Sequence, residues 1–235
     1  MRGIVLGGMV CWTHFACRRI RRDPRRYPFF AWVHGLLVLL SKLGQEGVLL
    51  FSGLLDWSNG LPLHLCGMMG LLTLPMLLAR RRTLCSAALF LGMPGGALAL
   101  LFPAMLVTPW PTLTAAAFHT LHAGLVCAPW LPIARGWRPV PADALRAGLV
   151  LMTLGGLAML LNPLTGGNYL FLARPVGGTP LALLAQWGIG PYRLLLALLA
   201  ALVLAAEAGI TALLRKRERP GRTLPSDQQT SPQPR

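Results

Sequence analysis

Apolar residues run through this chain in long blocks rather than in alternation. Seven stretches, near residues 3–17, 29–52, 60–79, 83–107, 112–134, 143–162 and 190–214, are separated by short groups rich in arginine, proline and glycine. A helix needs about 20 mostly apolar residues to cross the hydrocarbon of a bilayer. The pattern therefore predicts an all-α polytopic membrane protein, a bundle of seven transmembrane helices over residues 1–214, with a disordered tail over 215–235. That tail, RKRERPGRTLPSDQQTSPQPR, is charged and then polar and proline-rich, a composition that builds no core. The first stretch is short, but its basic block follows it and no small-residue cleavage site is present, which argues against a secretory signal.

Composition agrees with the pattern. The chain is 54% hydrophobic and 12% charged, with a mean hydropathy of +0.58, whereas soluble domains carry about 25% charged residues. A net charge of +15 would suggest nucleic acid in a soluble protein. Here the arginines sit in blocks beside apolar runs, as topology signals do, and no nucleic-acid partner is implied. Arg18 to Arg26, Arg80 to Arg82, Arg135 to Arg146 and Arg215 to Arg222 fall on alternate connections, so the positive-inside rule predicts an outside N-terminus and a cytoplasmic C-terminus. Trp57, Trp110 and Trp187 then fall at outer helix ends, and Tyr27, Trp130 and Trp137 at inner ends, as interfacial belts require.

Chemistry is concentrated in LPLHLCGM, Leu61 to Met68, where Pro62 suits the first turn of a helix that holds His64 and Cys66. The five cysteines are an odd number and show no CxxC or Cys/His ligand spacing, so neither a disulfide framework nor a structural zinc is expected. No HExxH, acidic metal pattern or phosphate-binding glycine loop appears, and the sequence implies no metal and no cofactor. At 1.5 Å per helical residue, Cys66, Glu46, His119 and His122 fall in one layer roughly 9–15 Å below the outer surface. Lys42 stands four residues before Glu46, the spacing of an ion pair on one helix face. Ionisable groups at such depth cost about 2.5–3.5 kcal/mol each on insertion scales, so they should face the bundle interior.

Two functional readings follow from that layer. In the first, Cys66 is a nucleophile, His122 or His119 its base, and Glu46 the group that orients the base. His64 lies about 200° around an ideal helix from Cys66, so it shares a focus with the thiol only if the turn after Pro62 is irregular. In the second reading, Lys42, Glu46 and the histidines form a proton- or ligand-linked site of a binding or transport protein, or the pair is purely structural. The long connection from Asn162 to Ile189 contains NPLTGGNYLFLARP, whose Asn-Pro and Gly-Gly pairs mark chain breaks.

LPLHLC, Phe118 with His122, NYLFLARP and WGIGPY, in that order over about Pro28 to Leu214, resemble the YwaF-like family of bacterial integral membrane proteins. That family is distantly related to eukaryotic transmembrane protein 164, described as a cysteine-dependent acyltransferase acting on phospholipids. Trp110 stands where the family pattern has an acidic residue. The resemblance implies a multi-pass protein of the bacterial cytoplasmic membrane, with membrane lipids as partners and a phospholipid as acyl donor. It puts the family cysteine at Cys66 and the family histidines at His64 and His122. On this reading His64, His119, Asn162, Asn168, Tyr169 and Arg174 would hold the substrate carbonyl or headgroup.

Overall fold

The computed structural model describes residues 2–103, 105, 107–175, 183, 186 and 188–217. All regular structure among them is helical. Helix α1, Arg2–Arg22, does not stop with its apolar stretch but continues through the first arginines. Asp23 turns the chain: its carboxylate accepts the Arg25 amide at 3.1 Å and caps a short 3₁₀ turn, Pro24–Arg26. Helix α2, Tyr27–Phe51, follows directly. Next come α3 (Leu65–Ala79), α4 (Arg82–Ala87) and α5 (Met93–Leu101), the last two joined by one π-helical turn. Helices α6 (Pro111–Cys127), α7 (Trp130–Ala134), α8 (Ala142–Thr165) and α9 (Ile189–Arg217) complete the order.

Among the described residues, four segments are long and apolar enough to cross a membrane: Pro24–Phe51, Arg82–Leu101, Ala142–Thr165 and Ile189–Arg217. Helix α3 is apolar but has only 15 residues, because it begins later than the proline at position 62 suggests. The Leu61 amide is taken by the Tyr169 hydroxyl at 3.1 Å, Leu63 closes a tight turn onto the Leu61 carbonyl, and His64 is extended. Helical bonding starts only when the Met68 amide meets the His64 carbonyl. Trp187 and most of the C-terminal tail, 218–235, lie outside the described residues.

Helices α3 and α6 both pack on α2, and α5 packs on α6. These contacts are close because glycine lies at the crossings. A Cβ on Gly35 would sit 2.6 Å from Leu74 Cδ1 and 2.9 Å from Leu74 Cα. One on Gly96 would sit 2.9 Å from the His122 carbonyl oxygen. Lipid chains are as apolar as leucine, so helices in a membrane associate through such close packing and through polar contacts rather than by hydrophobic burial.

One end of the bundle gathers the arginines. There Asp143, at the start of α8, is fully buried and receives both Nε and Nη2 of Arg82 at 2.7 Å, Arg146 at 2.8 Å and the Val140 amide at 2.9 Å. Four donors on one carboxylate stabilise its charged form, and the bidentate arginine fixes α4 against α8. At this end Ile20, Tyr27, Phe30, Met76, Leu77 and Leu131 bring α1, α2, α3 and α7 into one apolar cluster.

Gly35→Ala is expected to lower stability by about 1–3 kcal/mol, because the backbone of α3 must move to admit the methyl group. Gly155 has nothing within 4 Å of its Cβ direction. Gly155→Ala should be neutral or stabilising by up to about 1 kcal/mol. Thermal unfolding of both variants in the same detergent checks the contrast.

Candidate functional site

The site begins with a charge that the membrane cannot solvate. Lys42 is only 9% exposed, and its ammonium pairs with Glu46 one turn on, the i, i+4 pair read from the sequence. The other oxygen of Glu46, Oε2, is buried with no partner among the described residues, as is the neighbouring Gln45 amide nitrogen. Room for the lysine comes from α3. A Cβ on Gly70 would press within 3.2 Å of the lysine stem, and one on Gly67 would come within 3.4 Å of its Nζ. A side chain at either glycine would push the ammonium away from the first turns of α3.

The ammonium lies beside the start of α3: the Cβ position of Gly67 that meets Nζ at 3.4 Å is 3.9 Å from His64 Cβ, and Cys66 is the residue before that glycine. His122 comes from α6, which packs on α2 and α3. Because α3 starts at Leu65, Cys66 stands in its first turn rather than its second. The amides of Leu65, Cys66 and Gly67 have no backbone acceptor among the described residues, so the positive end of the helix faces the thiol. Beyond the sulfur lies α5: a Cβ on Gly95 would be 3.8 Å from Cys66 Sγ. Cys66 itself makes no hydrogen bond among the described residues.

His122 and His119 are both buried and each is oriented by its own helix. His122 Nδ1 meets the Phe118 carbonyl at 2.7 Å, and the Phe118 ring lies 4.1 Å from the imidazole, centroid to centroid. His119 Nδ1 meets the Ala115 carbonyl at 2.6 Å. A carbonyl accepts, so Nδ1 donates in each, and in the neutral ring Nε2 is the acceptor. The acceptor that orients His122 is thus a backbone carbonyl, while Glu46 is engaged with Lys42. His34, deeper in α2, is fully buried on the Gly124 carbonyl at 3.0 Å and lies outside this group.

The connection after α8 forms a roof over His64. Tyr169 and Phe171 place their rings 5.1 and 5.6 Å from the imidazole. Their backbone is held by asparagines. Asn162 accepts the Tyr169 amide at 2.7 Å and donates to its carbonyl at 3.1 Å, while Asn168 accepts from Ala173 and Arg174 and donates to the Arg174 carbonyl at 2.7 Å. Leu170 and Phe171 have φ of 54° and 58°, a left-handed pair that non-glycine residues adopt only when surrounding bonds impose it. Tyr192 and Arg193 of α9 supply two such bonds, to the Phe171 and Leu172 carbonyls. The Tyr169 hydroxyl donates to the Trp57 carbonyl at 2.7 Å, so the roof is tied to the connection between α2 and α3. In that connection the Ser58 hydroxyl and amide hold the exposed Asp56 carboxyl below the ordinary carboxylate range.

The structure therefore sets Cys66, His64 and the Lys42–Glu46 pair side by side, with His122 on the adjacent α6. It sets Asn162, Asn168 and Tyr169 in the scaffold of the roof, with exposed Arg174 at its margin. Phe171 and Gly95 are neighbours of the site that spacing alone does not single out, since each comes from a distant segment. Glu207, in α9, has a buried Oε2 without a partner among the described residues. A lone carboxylate in the apolar run over 190–214 was its visible signal. No three His, Cys, Asp or Glu side chains among the described residues converge as a metal site would need.

Fold and site together define a polytopic helical membrane protein with a thiol, imidazoles and an ion pair enclosed beneath a polar roof. The TMEM164 family model matches residues 3–211, and the chain belongs to that family. No curated protein and no solved structure matches it.

Asn162→Ala removes both bonds to the Tyr169 backbone, and leaving a buried amide unpaired costs about 1–3 kcal/mol. The expected result is faster hydrogen exchange at the Tyr169 and Leu61 amides with the helices α1 and α4 unaffected. Tyr169→Phe should accelerate exchange at Leu61 alone. At Asp56 the sign is that of a depressed carboxylate: its two serine bonds persist at neutral pH and are lost only as the pH falls below about 3.9.

Proposed function

We propose that this TMEM164-family protein is an acyltransferase of the YwaF-like bacterial type that moves an acyl chain from a phospholipid through a thioester on Cys66. In this reading the chain crosses the bacterial cytoplasmic membrane seven times, with its N-terminus outside and its C-terminus inside, and the thiol works near the outer leaflet. The placement of Cys66 in the first turn of α3, beside His64 and the Lys42 ammonium that packs on Gly67, is the observation that carries the proposal.

The chemistry follows from the charges. His122 Nε2 takes the thiol proton, and Lys42 with the start of α3 stabilises the thiolate in a site too apolar to do so otherwise. The sulfur attacks the ester carbonyl. The oxyanion that forms meets the free amides at the start of α3 and the lysine ammonium, donors already in place before reaction. Collapse breaks the ester C–O bond, His122 returns its proton to the departing alkoxide, and a lysophospholipid leaves. An acceptor hydroxyl or amine then attacks the thioester by the reverse sequence, restoring the thiol. Glu46 acts as counter-ion to Lys42, and the Phe118 carbonyl orients His122. His64, His119 and Arg174 face the substrate, and the scaffold of Asn162, Asn168 and Tyr169 shapes the entrance.

A second reading has its own observation. The unpaired Glu46 Oε2 and Gln45 nitrogen are buried polar atoms of the kind a bound ligand or proton would satisfy, which suits a non-enzymatic binding or transport protein.

Intact mass of the purified protein after incubation with phospholipid separates the two. The acyltransferase requires an acyl adduct on the wild type that neutral hydroxylamine removes and that Cys66→Ala lacks. His122→Ala should slow adduct formation by about 10²–10⁴-fold. A folded wild type that never acquires the adduct, together with a mild Cys66→Ser phenotype and a severe Glu46→Gln phenotype, transfers the assignment to ligand binding.

A further inference from the structure

The arginine-rich end holds a second polar site, far along α3 from Cys66. A cavity of about 220 Å³ opens between the Pro24–Arg26 turn, the C-terminus of α3 and the end of α7. Its lining contains Arg25, Arg80 and Arg135, with Pro24, Pro28 and Leu78 as apolar wall and the Tyr27 ring as floor. No acidic residue among the described residues lines it.

Three solvent-exposed arginines from three separate elements line this one opening, and none of their guanidinium groups has a hydrogen bond or an ion pair among the described residues. The nearby carboxylates are committed elsewhere. Asp23 binds Arg26 Nε at 3.2 Å and the Arg25 backbone amide, and Asp143 binds Arg82 and Arg146. The floor is rigid, because the Tyr27 hydroxyl donates to the Leu77 carbonyl at 2.7 Å. Arg80 stacks on that ring with its guanidinium carbon 5.6 Å from the centroid. Arg80 also occupies the left-handed C-cap of α3, φ 51° and ψ 29°, a place where glycine is the usual residue. Here an arginine stands at a strained cap position, aimed into a cavity with two others.

Like charges held together repel, and a ligand that supplies several oxygens to three planar donors removes the repulsion. The volume lies below the roughly 300–1,000 Å³ of drug-sized pockets, which suits a small anionic group. We propose that this cavity binds a phosphate group through Arg25, Arg80 and Arg135. Two sources share that chemistry, the phosphodiester of an anionic lipid headgroup and free inorganic phosphate, and the apolar wall would receive the glycerol end of the former. The site stands apart from the thiol, and its assignment does not rest on the acyltransfer reading.

The test uses the full chain, delipidated in a neutral maltoside detergent and titrated calorimetrically with dihexanoyl phosphatidylglycerol, dihexanoyl phosphatidylcholine and inorganic phosphate. One saturable site is expected for an anionic probe. Arg25→Gln, Arg80→Gln and Arg135→Gln should each weaken it about tenfold or more, and the triple variant should abolish it. Arg215→Gln, Lys216→Gln and Arg217→Gln together remove the same number of charges from the same end and should leave the site intact. Preference for phosphatidylglycerol over phosphate identifies the lipid headgroup, and equal or tighter binding of phosphate identifies the free anion. Arg80→Gly guards against misfolding: relief of the left-handed strain should raise the melting temperature while binding weakens. Binding that survives the triple variant, or that falls equally in the control triple, overturns the proposal.

Discussion

The ion pair between buried Lys42 and partly buried Glu46 is the interaction on which the site depends. A lone ammonium inside hydrocarbon would have to be neutralised or driven to the surface, so its partner must come from within the chain. One turn of α2 supplies it. The cost of enclosing the pair is then met by packing, with Gly67 and Gly70 of α3 shaped to the lysine and Leu121 of α6 closing against Gly70. Removing Glu46 leaves the buried ammonium uncompensated, a cost lessened by the 24% of the Glu46 side chain that stays exposed. The pair lies within α2 and fixes the lysine there; the packing of Gly67 and Gly70 on its stem and of Leu121 on Gly70 then sets α3 and α6 against it.

The two ends of the bundle solve the same problem differently. At the arginine-rich end a single buried carboxylate, Asp143, is surrounded by donors from α4, α8 and the turn before α8, and its saturation makes it a structural anchor. At the opposite end the polar groups are mostly backbone. Asn162, Asn168, Tyr192 and Arg193 spend their hydrogen bonds on carbonyls and amides of the stretch around the short 3₁₀ turn Tyr169–Phe171, whose own bonds leave most of them free. That arrangement supports two left-handed residues over His64, strain that persists because the surrounding bonds leave the chain no alternative.

Rigidity and reactivity are thus divided between neighbouring groups. The roof and the helix crossings are tightly bonded. Among the described residues, Cys66, the amides at the start of α3, Glu46 Oε2 and the histidine Nε2 atoms keep unused bonding capacity within that frame. Groups held in place with capacity to spare are what recognition or catalysis needs from a site.

The positions of the helices were legible in the sequence because burial in hydrocarbon demands continuous apolar runs, and each of the stretches marked by that rule contains a helix of the structure. Helix α1 outruns its stretch, since arginines are good helix formers and solvent receives them at the end. The Lys42–Glu46 pair was legible too, as an interaction within one turn needs only a spacing. Tertiary structure decided the rest. Helix α3 begins at Leu65 because a tyrosine more than a hundred residues away takes the Leu61 amide, and no local pattern reports that bond. The same bond moves Cys66 into the first turn. Asn162, Asn168 and Tyr169 look like ligand-binding residues as isolated polar groups in an apolar chain, yet their main contacts are to backbone that only the folded connection presents. The meeting of thiol, imidazoles and ammonium is set by glycine-mediated crossings of α2, α3, α5 and α6. Sequence specifies which groups must avoid lipid; helix packing determines which of them meet.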